Sequence, residues 1–290
     1  MLTQKNVCIL IVAALLVISL AANIWMYIFS YDIYLQEPEQ VYIMESGILR
    51  NNLTFRDGND LEFAYDFSHA DYAVLLSKYG IGTIAGSGSE FDRAMRLMDE
   101  FSSRLTHRSR DDVTDMGALS LLEYSLDNPK NGINCRNKAQ ILNEMCLALG
   151  IYSRKVWLIP YSPYDQDCHV VNEIWDTTWD KWIMLDITTN EYWVDEHGTP
   201  LSVLEIRQKG AMREFCTPVK PGDRLDDLQV LQERYIGHFL YIMKNMVGMK
   251  YFDTYTAGES ETVYFLLPEN FEIDYDRFVS VKACLRSPMD

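Results

Sequence analysis

The residues from Cys135 to Thr188 change their hydrophobic period once, at a glycine. Apolar side chains at positions 135, 139, 142, 145, 146 and 149 recur with the spacing of one helix face, and Gly150 ends that run. Alternation of apolar and polar residues, the period of a β-strand, follows in residues 151–159, 169–175 and 182–188. Helices followed by consecutive strands are typical of an α+β fold, so this block predicts the fold class.

The second and third predicted strands are joined by the short polar segment 176–181. A connection this short joins antiparallel strands as a hairpin. His169 begins the first of these strands and Asp186 lies near the end of the second, so pairing around Thr178 and Trp179 brings the two side chains together to within one residue pair.

Cys135 is the one cysteine that the sequence places at the start of a helix, directly after the predicted cap Asn134. Unpaired backbone N–H groups and the positive end of the helix dipole favour an anion there, so the thiolate forms more readily. A nucleophilic thiolate needs a histidine to handle the proton and a carboxylate to orient that histidine. Cys135, His169 and Asp186 are therefore predicted to form a catalytic triad, whereas Cys146 is predicted to be a buried core residue.

These residues lie in motifs that resemble a known family. The chain reads Asn134-Cys135-Arg136, then Ala148-Leu149-Gly150-Ile151, then Cys168-His169-Val170-Val171-Asn172-Glu173, and finally Trp182-Ile183-Met184-Leu185-Asp186-Ile187-Thr188. In this order the motifs resemble the core of the transglutaminase-like superfamily, as in a membrane-anchored, bacterial-type member, over about residues 85–215. The resemblance implies a papain-like α+β fold with the nucleophile helix packed on an antiparallel sheet, and it gives the nucleophile, histidine and aspartate positions to Cys135, His169 and Asp186.

The function that this resemblance implies is thiol-dependent acyl transfer on amide bonds. Hydrolysis of a protein or peptide, as by a peptidase or amidase, is the favoured reaction. The alternatives are a protein-glutamine transglutaminase, which uses an amine as acceptor, and a catalytically silent binding module of the same fold. No cofactor and no metal are predicted, because the spacing of Cys168, His169, Cys135 and Cys216 matches no zinc pattern.

A run of 23 uncharged residues, 7–29, lies near the N-terminus. As a helix it measures roughly 34 Å, enough to cross the hydrocarbon layer of a membrane. Lys5 precedes the run and Asp32 and Glu37 follow it, which predicts a cytoplasmic N-terminus and an extracellular body on a single-pass anchor. The alternative is a cleaved signal peptide, which gives a secreted body.

Charge excludes one class of partner. The chain has a net charge of −16, and all 42 acidic residues follow the apolar run. Nucleic-acid binding needs clustered lysine and arginine, so no nucleic-acid partner is predicted. The predicted partners are a protein or peptide substrate and, through the N-terminal helix, the membrane.

The sequence predicts five divisions of the chain: a cytoplasmic stub (1–6), the anchor (7–29), a stem (30–84), the catalytic core (85–215) and a strand-rich extension (216–290).

Four further expectations concern residues outside the central block. A capping box from Ser87 to Glu90 is predicted to open a helix over 91–101, and further helices are predicted over 112–126 and 201–209. Two or three strands are predicted within 262–285, either extending the core sheet or capping the cleft. The five cysteines beyond the apolar run are an odd number, which speaks against a complete set of disulfides. No role is predicted for the remaining histidines, which are expected on the surface or in the core: His69, His107, His197 and His238.

Overall fold

A computed structural model describes residues 4–109, 116–128, 130–162, 165, 167–252, 262–271 and 276–289, with the backbone alone for residues 4, 5 and 28–36. The chain divides into two compact units, residues 1–44 and 45–290. The first unit contains helix α1 (Gln4–Gln36) and the start of helix α2 (Pro38–Asn51). By length and composition, residues Asn6–Tyr27 of α1 are apolar enough to cross a membrane, a property that signal sequences share.

The second unit is built around a seven-stranded sheet in the order β5-β4-β3-β2-β1-β6-β7. All of its strand pairs are antiparallel, as the sequence predicts. The strands are β1 (Ser153–Ile159), β2 (His169–Asp176), β3 (Lys181–Asp186), β4 (Glu191–Asp195), β5 (Cys216–Val219), β6 (Gly248–Phe252) and β7 (Val263–Leu266).

Helices cover both faces of this sheet. Ile174, Leu185 and Tyr192 join the apolar side chains of the helices that precede β1 in one core cluster. Trp193 follows Tyr192 in β4 and therefore points to the opposite face, where its ring stacks on that of Phe239 at 5.4 Å. Described in chain order, the helices after α2 are α3 (Asp71–Lys78), α4 (Ile81–Ala85), α5 (Glu90–Arg104), α6 (Ala118–Asp127), α7 (Cys135–Ala148), α8 (Val203–Met212), α9 (Leu228–Arg234), α10 (Ile236–Asn245) and α11 (Val281–Leu285).

Helix α7 and the hairpin β2–β3 lie where the sequence predicts them, although β3 ends at Asp186 and not at Thr188. The side chain of Asn134 caps α7 by accepting a hydrogen bond from the backbone N–H of Asn137 at 3.1 Å. Gly150 follows the helix with φ +73°, a conformation that favours glycine. In the hairpin, Asn172 pairs with Leu185, and the turn is centred on residues 178 and 179.

The predicted capping box of α5 is wrong by two residues. Ser89, not Ser87, is the N-cap, and it exchanges hydrogen bonds with Asp92 instead of Glu90. Gly88, with φ +128°, turns the chain immediately before Ser89, so the helix starts after that serine. The carboxylate of Glu90 instead accepts hydrogen bonds from the backbone and hydroxyl of Thr177.

The C-terminal segment differs in part from the predicted strands. Strand β7 is present, and β6 and β7 extend the sheet beyond β1, whereas residues 272–275 lie outside the described part. The last predicted strand is wrong, because Ser280 caps the short helix α11 by accepting from the N–H of Ala283. The helix predicted over 201–209 is α8, and of the helix predicted over 112–126 the described part is α6.

Candidate active site

Cys135 is the first residue of α7 and is partly exposed. The first N–H groups of a helix have no acceptor within the helix, and the helix dipole places positive charge at this end. The Asn134 cap satisfies one of these groups, that of Asn137. The thiol therefore lies where a negative charge is favoured.

His169 and Asp186 lie side by side. His169 begins β2, Asp186 ends β3, and His169 Nε2 is 2.6 Å from Asp186 Oδ2. Continuing the hairpin register places Asp186 opposite Val171, so the two residues are diagonal neighbours, one pair from direct opposition. The second oxygen of Asp186, Oδ1, accepts the backbone N–H of Thr188 at 2.9 Å.

Both groups are almost fully buried, and each changes the acidity of the other. Burial opposes a charge on the His169 ring, but the charge of Asp186 and hydrogen bonds with Asp186 and Cys135 outweigh it and raise the pKa of His169. Burial alone would raise the pKa of Asp186. The charge and hydrogen bond of His169, with the charge of His238, instead hold that pKa well below its ordinary value.

The thiol of Cys135 lies close enough to His169 to contribute to the raised pKa of that histidine, which connects the thiol to this pair. Because Nε2 of His169 is committed to Asp186, Nδ1 is the ring atom left to exchange a proton with the thiol. The structure thus brings together all three residues that the sequence singled out. A cysteine, a histidine and a carboxylate in this order have the arrangement needed to activate a thiol nucleophile.

Comparison with known families agrees with this geometry. The model of the transglutaminase-like superfamily matches residues 78–187, a segment that includes Cys135, His169 and Asp186. This match identifies a transglutaminase-like core. The predicted superfamily is therefore confirmed for the matched segment, and the helices around an antiparallel sheet confirm the predicted fold class.

Two further comparisons concern whole chains. No curated protein sequence matches this chain. Among solved structures, the chain is similar to one described as a "Putative Cysteine Protease from Cytophaga hutchinsonii", with 13% identity and a TM-score of 0.34. That match covers 74% of this chain and 58% of the other, so the chain spans little more than half of the length of that structure.

His238, for which the sequence predicts no role, lies beside the transglutaminase-like core. It belongs to α10, and its Nε2 is 3.5 Å from Asp186 Oδ2. Its Nδ1 contacts a carboxylate oxygen of Glu191. The sequence carries no local signal for these contacts, because His238 is brought to the site by the packing of α10 on the sheet.

Tyr241 is a second residue of α10 at the site. Its ring meets that of His169 edge to face, with centroids 5.5 Å apart, and stacks on that of His238 at 6.0 Å. Its hydroxyl donates to Asp167 Oδ1 at 3.2 Å, and burial raises its pKa. The aromatic ring therefore covers one side of both histidines.

Lys138 lies one turn after Cys135 on α7 and is also buried. Its Nζ donates to the carbonyl oxygen of Ser102 at 3.2 Å. Burial lowers the pKa of Lys138 to about 8, although the charge of Asp186 opposes that shift. A basic group close to the triad thus sits in a site that disfavours its charge.

The other cysteines differ from Cys135 in their surroundings. All six cysteines of the chain are free. Burial raises the pKa of Cys146, Cys216 and Cys284 to about 12 each, and it also raises that of Cys168. Inert buried thiols of this kind provide internal references for the reactivity of Cys135.

Three side chains that can bind a metal ion lie together at the site. Within the described part of the chain, His169, Asp186 and His238 are the one group of three His, Cys, Asp or Glu residues whose ligand atoms all lie within 4.8 Å of one another. Two ligands of a tetrahedral zinc ion are about 3.3 Å apart. His169 Nε2 and Asp186 Oδ2 are 2.6 Å apart, a distance that suits a shared proton. The absence of a metal remains a prediction.

Proposed function

We propose that Cys135, His169 and Asp186 form a catalytic triad for thiol-dependent acyl transfer on amide bonds, with hydrolysis of a protein or peptide as the reaction. The observation that carries this proposal is the position of His169. It is hydrogen-bonded to Asp186 at 2.6 Å, and the thiol of Cys135, at the start of a helix, is close enough to contribute to its raised pKa. The match to the transglutaminase-like superfamily supports it.

In the first half of the reaction, His169 takes the thiol proton on Nδ1 and the Cys135 thiolate attacks the amide carbonyl. The new C–S bond gives a tetrahedral intermediate with a negative oxygen. The C–N bond then breaks, and His169 returns the proton to the leaving amine. Asp186 keeps the Nε2 proton of His169 in place throughout, because it accepts that hydrogen bond.

In the second half, water replaces the departed amine. His169 takes a proton from water, and the oxygen attacks the thioester. The C–S bond then breaks, the carboxylic acid leaves, and His169 returns the proton to the sulfur of Cys135. We assign one oxyanion donor, the backbone N–H of Cys135, because N–H groups at a helix start point outward along the helix axis.

The proposed location is the outer face of the cell membrane. Helix α1 has the length and composition of a membrane span. Lys5 before this span and acidic residues after it favour a cytoplasmic N-terminus. A protein or peptide at the cell surface is then the substrate within reach of the body. If the apolar segment is cleaved, the same body is secreted.

Alkylation by iodoacetamide tests the triad. Each cysteine of the full chain is followed by mass spectrometry at pH 7, with Cys168→Ser as the matched control because Cys168 directly precedes His169. Cys135 is expected to react at least about tenfold faster than an ordinary exposed thiol, and His169→Ala is expected to remove that advantage. Equally slow labelling of Cys135 in the wild type and in His169→Ala would refute the triad.

Acyl release tests the acceptor. A library of peptide amides and glutamine peptides is incubated with the protein, with and without a primary amine. Hydrolysis gives a new carboxylate in both conditions and is the expected result. Product that carries the amine would overturn the hydrolase in favour of a transglutaminase. If no peptide releases product and alkylation of Cys135 is slow, the protein is a catalytically silent binding module of the same fold.

A further inference from the structure

Two buried carboxylates face each other next to the proposed triad. Asp186 ends β3, Glu191 begins β4, and the two residues are direct partners in the antiparallel register. Asp186 is 0% exposed and Glu191 is 2% exposed. Like charges directly opposite each other on neighbouring strands destabilise a sheet, and burial weakens the screening by solvent. A positive group between the two carboxylates offsets this repulsion.

His238 occupies that position. Its Nε2 is 3.5 Å from Asp186 Oδ2, and its Nδ1 contacts Glu191 Oε2. Each ring nitrogen thus faces a carboxylate, and an imidazolium in this position places its positive charge between Asp186 and Glu191. The other oxygen of Glu191, Oε1, is 3.8 Å from Nζ of Lys220, whose side chain is 40% exposed.

The contacts of His238 continue into the triad through a shared oxygen. Oδ2 of Asp186 is the atom that faces His238 and also the acceptor of the Nε2 proton of His169. Glu191, His238, Asp186 and His169 therefore form a continuous row. Tyr241, three residues after His238 on α10, stacks on its ring and limits the rotation of that ring.

We propose that His238, held by Glu191, is a positioning residue that keeps Asp186 ionised and aimed at His169 through the whole reaction cycle. This inference rests on the proposed function. When His169 gives its proton to the leaving amine, Asp186 loses its nearest positive neighbour while remaining fully buried. A buried carboxylate without a counter-charge takes up a proton. His238 provides a positive charge that does not leave during the cycle.

The groups that face His238 come from every element around it. They are Asp186 from β3, Glu191 from β4, His169 from β2 and Tyr241 from α10 itself. Lys220, after β5, faces Glu191. Removing the His238 charge raises the pKa of Asp186, because that charge is among the causes that lower it. As the pH falls, Asp186 then takes up a proton earlier and His169 loses its charged partner, so alkylation of Cys135 slows at a higher pH.

The test compares His238→Gln, Glu191→Gln and the double variant in the full chain, with iodoacetamide as the probe of Cys135 between pH 5 and pH 9. His197→Gln is the matched control, because that histidine is 79% exposed and lies outside the site. Each single variant is expected to lower the alkylation rate at pH 6 by about 10- to 100-fold and to move the acid limb of the profile to higher pH. The double variant is expected to be no slower than His238→Gln, since both changes break one row.

Three results would overturn the inference: single variants as reactive as the His197→Gln control, effects that multiply in the double variant, or an acid limb that does not move. Glu191→Gln preserves shape and carries the test alone if His238→Gln does not fold. The proposed function fails separately, when wild type and His169→Ala react alike. If His169→Ala is slow and both new variants react like the wild type, only the role of His238 is lost.

Discussion

Asp186→Asn replaces one carboxylate oxygen by an amide nitrogen, and the neighbours of Asp186 decide which one. The N–H of Thr188 donates to Oδ1 at 2.9 Å, and His169 Nε2 lies 2.6 Å from Oδ2. An asparagine that turned its nitrogen toward Thr188 would set two donors together and lose a buried hydrogen bond, at about 1–3 kcal/mol. The carbonyl therefore stays with Thr188, and the NH₂ group faces His169.

This orientation places the proton of the neutral His169 ring on the wrong nitrogen. Nε2 must accept from the new amide, so the proton of the neutral ring moves to Nδ1 and blocks transfer from Cys135. The imidazolium also loses a charged hydrogen-bond partner, about 1.5–3 kcal/mol. Together with the cost of reversing the amide, the loss is about 2.5–6 kcal/mol, or about 10²- to 10⁴-fold in the rate of acyl transfer.

Alkylation of Cys135 by iodoacetamide at pH 6 and pH 9 measures this loss. An ordinary thiol with a pKa of about 8.5 is about 0.3% ionised at pH 6, so the loss of reactivity there saturates at about 300-fold. Asp186→Asn is expected to slow alkylation about 100-fold or more at pH 6. At pH 9 an ordinary thiol is mostly ionised, so the difference shrinks to a few-fold.

Asp176→Asn is the matched control. Asp176 is also fully buried, lies at the other end of β2 and accepts the backbone N–H groups of Phe91 and Thr178 at 2.8 Å each. Its replacement is expected to lower stability but to leave the rate at Cys135 within about twofold, because it does not touch His169. The reasoning is refuted if the alkylation rate of Asp186→Asn at pH 6 stays within threefold of the wild-type rate. It is also refuted if Asp176→Asn lowers that rate as much as Asp186→Asn does.

Two further predictions concern helix α7. Asn134→Ala removes the acceptor for the Asn137 N–H and is expected to lower the free energy of unfolding by about 1 kcal/mol in urea titrations, whereas Asn134→Asp keeps an acceptor and should restore it; a stable Asn134→Ala would contradict the cap. Lys138→Met removes a group whose pKa burial lowers to about 8 in the fold, while the unfolded chain keeps about 10.4. Between these two pKa values the unfolded wild-type chain binds more protons than the folded protein. The free energy of unfolding of the wild type therefore rises with pH across this range. The methionine variant should be more stable by about 1–2 kcal/mol at pH 7, and this advantage should decrease toward pH 10; a difference independent of pH would contradict it.

Much of the transglutaminase-like core was predictable because its signals are local. The helix from Cys135, its Asn134 cap and its Gly150 stop depend on residues within a few positions of one another. The pairing of His169 with Asp186 depends on one short hairpin, whose turn length sets the register. In the structure His169 and Asp186 are diagonal neighbours and not directly opposite each other. A turn of unknown geometry leaves an uncertainty of this size in the register.

Errors arose where two local signals competed. Both Ser87 and Ser89 are suitable caps, and the left-handed conformation of Gly88 selects the second. Residues 278–285 alternate as a strand does, yet Ser280 begins a helical turn. In each case several local patterns are of similar energy, and contacts with the rest of the fold decide between them.

From the sequence alone come the fold class, the apolar N-terminal helix, and the three residues proposed to act on an amide, since each depends on period, composition or a short turn. Folding adds the surroundings of those residues. Asp186 and Glu191 face each other because β3 pairs with β4, and His238 reaches both because α10 packs on that face of the sheet. Such contacts join segments far apart in the chain, and no local period encodes them, because they form only when apolar surfaces such as those of Trp193 and Phe239 are buried together.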